Sequence, residues 1–269
     1  MLKIFYNKLI KSCLKIEKRA RFVISAFLLT LLMLFSTFFF FDKAWIFIPL
    51  FIFFTYILTF FSIIEEIEKI EWLMLFIMPV IFIVSFYFFY FLFPVRWLTR
   101  LPFVIIFAIS VYALILISNI FNVGVEKSLQ LYRAAFSVNY FYQTLIIFLI
   151  ANLLFSSKMS FIANGLVVFV AVLILATHLF WSITLKLNLE KRTLFFGLLI
   201  AIILTEEVVV FSFIPFKTSI LALILTASYY SLAGLTYSYL DNRLFKETIR
   251  EYLIVLGFVF LIGILTLTW

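Results

Sequence analysis

Nine stretches of about twenty residues, almost free of charge, follow one another along this chain: 22–41, 44–64, 73–94, 102–121, 138–155, 161–185, 193–214, 218–239 and 252–269. An α-helix rises about 1.5 Å per residue, so about 20 apolar residues cross the roughly 30 Å hydrocarbon core of a bilayer. The apolar stretches leave only 13% charged residues in a chain of 269. A soluble domain carries about 25%. The residues run apolar without the strict alternation that a membrane β-barrel needs. The expected fold class is therefore all-α, a polytopic transmembrane helical bundle of about nine spans.

Residues 1–21 differ from the rest. At 100° per residue, Leu2, Phe5, Leu9, Cys13 and Ile16 share one helical face, and Lys8, Lys11, Lys15, Lys18 and Arg19 the opposite one. That split predicts a basic amphipathic helix lying in the membrane interface and drawn to anionic lipid. The expected organisation is this interfacial helix over 1–21 and one transmembrane domain over 22–269. The first apolar run is too long for a cleaved signal peptide, and no A-x-A site follows it.

Lysines and arginines give the orientation. With the N-terminus inside, sixteen fall in inner segments and five (Lys43, Arg96, Arg100, Lys158 and Lys217) in outer ones. Cytoplasmic segments carry such an excess, so the N-terminus is expected inside and the C-terminus outside. The net charge of +8 is then accounted for by lipid, and no nucleic-acid partner is expected. Between Pro94 and Pro102, Arg96 and Arg100 flank Trp97, which makes both arginines candidates for contact with lipid phosphate. Residues 122–137 carry Val125, Leu129, Tyr132 and Phe136 at helical spacing, which predicts a short amphipathic surface helix.

The candidate functional residues lie in spans five to eight. Glu206 and Glu207 stand side by side inside the seventh span. An acid at such depth is expensive and points to function by default. Consecutive residues project about 100° apart, so the two carboxyls address different surroundings. Counting residues from the span ends puts Asn152, Tyr229 and Tyr230 at a depth similar to Glu206, with His178 nearer the inner side. A Glu–Asn–Tyr cluster is one expectation, and the depth match favours Glu206 over Glu207 as the chemically meaningful acid.

The enzyme motifs are missing from the sequence. The adjacent acids invite comparison with CAAX-type intramembrane metalloproteases, but Phe211 stands where their arginine belongs and the single histidine, His178, lies upstream. There is no Gly-x-Ser-x-Gly, phosphate loop or dinucleotide fingerprint. Cys13 is the sole cysteine. No catalytic residue, metal or cofactor is expected. Two function classes follow: a proton- or cation-coupled carrier using Glu206, or a non-catalytic membrane scaffold or partner subunit with protein partners unknown.

The C-terminal segments Glu206-Glu207 to Ile214-Pro215-Phe216, Ser228-Tyr229-Tyr230-Ser231-Leu232-Ala233-Gly234-Leu235 and Arg250-Glu251-Tyr252 resemble uncharacterised polytopic membrane proteins of small-genome bacteria. The resemblance implies a bacterial plasma membrane and transfers no activity.

Overall fold

A computed structural model describes residues 14–39, 44–64, 72–93, 97–123, 130–185 and 189–266. Among them are nine α-helices and no strand: α1 (Lys18–Phe39), α2 (Ala44–Ile63), α3 (Trp72–Tyr90), α4 (Trp97–Val123), α5 (Gln130–Ser156), α6 (Phe161–Thr184), α7 (Lys191–Phe211), α8 (Thr218–Leu240) and α9 (Lys246–Leu265). Each is long and apolar enough to cross a membrane. The chain forms two compact units, Met1–Asn139 and Tyr140–Trp269.

Several helices start earlier than the apolar runs. Helix α4 opens at Trp97, ahead of Pro102, which lies inside its second turn. The amphipathic segment expected over 122–137 is not a separate helix where it is described. From Gln130 onward it is continuous with the fifth apolar span. Amphipathic and apolar patterns share the same 3.6-residue period, so nothing local stops the helix at their junction. Of the expected N-terminal interfacial helix, residues 1–13 lie outside the described residues; residues 14–17 form a turn and bend, and α1 begins at Lys18.

In the first unit, α1 packs on α2 and α4, and α3 on α2 and α4. The seams are aromatic and lightly polar. Phe86 lies against Phe82, Phe103 and Phe107, with ring centroids 5.3, 4.7 and 5.6 Å away. Ser25 Oγ donates to the Leu58 carbonyl at 3.1 Å and lies 2.9 Å from Ser62 Oγ. Pro79 inside α3 has no N–H to give the carbonyl four residues back, that of Leu75. Ser118 of α4 supplies the donor, with Oγ 2.8 Å from Leu75 O. Similarly, Asn122 Nδ2 donates at 3.2 Å to the carbonyl of Ile63, at the end of α2.

In the second unit, the α6–α7 pair has the most extensive seam, followed by α8–α9. Gly165 of α6 meets Thr205 and Val209 of α7, while Gly197 of α7 meets Thr177 of α6. These pairings run in opposite sequence directions, so the two helices are antiparallel. The chain has only 6 glycines, and two of them allow the close approach of α6 and α7. Helix α9 is different: Val259 and Gly263 are its buried residues.

Candidate functional site

The polar side chains of the second unit sort into three places. The first is a buried chain linking three helices. Tyr229 of α8 donates its phenol to Gln143 Oε1 of α5 at 2.7 Å. The Gln143 amide nitrogen lies 3.1 Å from Nδ1 of His178 in α6. An amide nitrogen only donates, so Nδ1 accepts and the ring proton sits on Nε2. Tyr229, Gln143 and His178 are at most 1% exposed. The His178 ring leans on Trp181, centroids 5.7 Å apart. A neutral network of this kind holds each helix at one rotation about its axis, because a slip strands buried polar atoms.

The second place is a tyrosine stack. Tyr230 of α8 lies between Tyr140 of α5, at 5.3 Å and nearly parallel, and Tyr252 of α9 at 5.1 Å. The Tyr140 phenol also donates to the Tyr230 carbonyl. Gly234, one turn further along α8, leaves the room these rings fill: a Cβ there would collide with Tyr252 and with the Tyr140 hydroxyl.

The third place is the acid pair on α7. Glu207 is half-buried and faces α8, where Ser228 Oγ donates to its Oε1 at 2.7 Å. Glu206 is exposed, flanked on its own face by the exposed Ile202, Ile203 and Val210. No hydrogen bond or ion pair to the Glu206 carboxyl forms among the described residues.

The expected cluster of Glu206, Asn152 and Tyr229 is therefore not formed. Depth along a helix was the basis for expecting it, and rotation about the helix axis undoes it. Asn152 turns its amide onto the Phe148 carbonyl of its own helix at 2.9 Å. Tyr229 points to Gln143, Tyr230 to Tyr140 and Tyr252, and Glu206 away from them all. His178, expected as a peripheral partner, instead joins the buried chain through Nδ1. Gln143, one of three amides on span five with Asn139 and Asn152, is the hub that matching by depth does not single out. Arg96 lies outside the described residues. The Arg100 guanidinium covers the Phe38 ring at 4.5 Å, a cation–π contact that occupies one face of the group.

Among the described residues no group of three or more His, Cys, Asp or Glu is placed to hold a metal ion. Tyr229, Gln143 and His178 pair with one another, while the buried Asn164 Oδ1 and Thr177 Oγ1 have no hydrogen-bond partner among the described residues.

No curated protein and no solved structure matches the chain. The family described as Protein of unknown function (DUF5656) matches residues 62–266, about three quarters of the sequence, and the chain belongs to that family.

Proposed function

We propose that the chain is a multi-pass integral protein of a bacterial plasma membrane, N-terminus inside and C-terminus outside, and that it acts as a non-catalytic scaffold or partner subunit. The observation that carries this reading is the exposed Glu206 on an otherwise apolar helix face. Lipid tails offer a carboxyl nothing, and acids in membrane helices face a protein interior or a wet cavity. The face of Glu206, Ile202, Ile203 and Val210 is thus a docking stripe. Its partner is a helix that brings a hydroxyl, amide or basic group to the carboxyl and apolar side chains to the rest. The His178–Gln143–Tyr229 chain supports the same reading from the inside, since it joins three buried polar side chains of three helices to one another. The alternative, a carrier using Glu206 to bind a proton or cation, rests on the same acid and needs it enclosed by water-lined protein.

A photo-crosslinking residue at Val210, on the stripe, and one at Phe258 of α9 as control, separate the two. In native membranes the Val210 probe should give one discrete adduct, weakened about tenfold by Glu206→Leu and little by Glu206→Gln, which keeps the hydrogen bond. In proteoliposomes carrying a pH gradient, neither substitution should change flux. A proton flux abolished by Glu206→Gln, with no discrete adduct, would establish the carrier instead.

A further inference from the structure

At the end of the second unit where α5 leads into α6 and α7 leads into α8, a cavity of about 320 Å³ opens between the two connections. Its walls are aromatic, from Phe155, Phe161, Phe211 and Phe216. Of its four polar side chains, Ser212 spends its hydroxyl on the Val208 carbonyl at 2.8 Å, which leaves three of distinct kinds. Lys158 lines it from the α5–α6 connection, held by a left-handed backbone at φ 50°. Thr218 lines it from the first turn of α8. That helix starts at Lys217 without a side-chain cap, so the N–H groups of Thr218 and Ser219 have no acceptor within the helix and the positive end of its dipole is open. The third group is Asn164, 5% exposed, whose Oδ1 accepts no hydrogen bond. Its Nδ2 reaches only the Met159 carbonyl at 3.5 Å. A buried amide oxygen left without a donor costs about 1–3 kcal/mol, which a ligand able to donate would recover.

The groups ask for different halves of one molecule. The ammonium and the open helix start want an anion. Asn164 Oδ1 wants a donor, and the nearby C-terminal end of α7, negative by its dipole, favours a donor or cation over a second anion. The aromatic walls want hydrocarbon. We propose that this cavity binds a phospholipid headgroup, with its phosphate at Lys158 and the first turn of α8 and its headgroup hydroxyl or ammonium donating to Asn164. The lipid as source rests on the membrane-spanning reading, while the recognised chemistry, a phosphate joined to a hydrogen-bond donor, rests on the cavity alone.

The test is thermal unfolding of the full chain in a nonionic detergent, with four additions: phosphatidylglycerol, phosphatidylethanolamine, diacylglycerol and 10 mM sodium phosphate. The two phospholipids should raise Tm by about 5 °C near saturation, and diacylglycerol and phosphate should not. Lys158→Glu, an exposed change that leaves the fold intact, should remove most of the shift for both lipids. Asn164→Leu should halve it while leaving the lipid-free Tm unchanged or higher. Equal stabilisation by diacylglycerol would reduce the cavity to a hydrophobic crevice and overturn the proposal. So would a full shift from phosphate alone, which would make the ligand a free anion, or an undiminished lipid shift in Lys158→Glu.

Discussion

Ser118 stands in for the donor that Pro79 lacks: its hydroxyl lies 2.8 Å from the Leu75 carbonyl, four residues before the proline. A broken backbone bond in one helix is thus repaired by a side chain of its neighbour. Removing Ser118 by Ala should cost about 1 kcal/mol. In a Pro79→Ala background, where the backbone N–H returns, the same change should cost markedly less. Equal costs in both backgrounds, measured by denaturant titration in detergent, would mean that the Leu75 carbonyl does not depend on Ser118.

Gln143 serves two partners, so its loss should exceed that of either. Gln143→Leu strands the Tyr229 phenol and His178 Nδ1 together, and about 2–3 kcal/mol of stability should go. Tyr229→Phe removes the donor along with its need and strands only Gln143 Oε1, so it should cost less, about 1–2 kcal/mol. The reverse ranking in thermal unfolding would contradict the hub.

A methyl at Gly197 would sit 2.5 Å from Thr177 Oγ1, whereas one at Gly257 meets nothing within 4 Å. Gly197→Ala should destabilise by about 1–3 kcal/mol through overpacking. Thr177→Ala, which clears the obstructing hydroxyl and leaves no other partner bereft, should restore most of it. Gly257→Ala should be neutral or stabilise by about 0.5–1 kcal/mol, since alanine is the better helix former.

The two acids should respond differently to loss of their carboxyls. Glu207→Leu leaves the Ser228 hydroxyl without its acceptor and should lower stability by about 1–2 kcal/mol. Glu206→Leu should leave stability of the isolated chain unchanged or raise it. Comparing melting temperatures of the two variants in detergent checks this, and a larger loss for Glu206→Leu would overturn the assignment.

Under the proposed topology, nine crossings from an inner N-terminus end outside, so a reporter active only on the inner side, fused after Trp269, should stay silent. A strong signal would remove the odd number of crossings.

Much of this architecture is legible in the sequence because a span announces itself by length and composition. The nine apolar runs coincide with α1 to α9, and the gathering of amides, hydroxyls and His178 in spans five to eight anticipates where the polar contacts lie. Rotation about the helix axis is what the sequence withholds. Both acids have apolar companions at helical spacing, so no stripe on α7 says which one turns to α8; the position of Ser228 decides in favour of Glu207. Equal depth put Asn152 beside Glu206 on paper, yet an asparagine satisfies itself on its own helix, at the Phe148 carbonyl, when no partner faces it. Pro79 and Ser118 are 39 residues apart, and only the register of α3 against α4 reveals that one answers the other.

Helix α9 fully buries only Val259 and Gly263, against Ile224 and Ala227 of α8, and adds Tyr252 on Tyr230 and Phe260 on Phe211 at its edges. Leu253, Ile254, Phe258, Leu261 and Ile264 all point outward. The helix packs chiefly on a single neighbour, α8. A chain drawn out from its C-terminal end therefore has one main seam to open before this helix leaves, whereas the glycine-knitted α6–α7 pair is also held by α8.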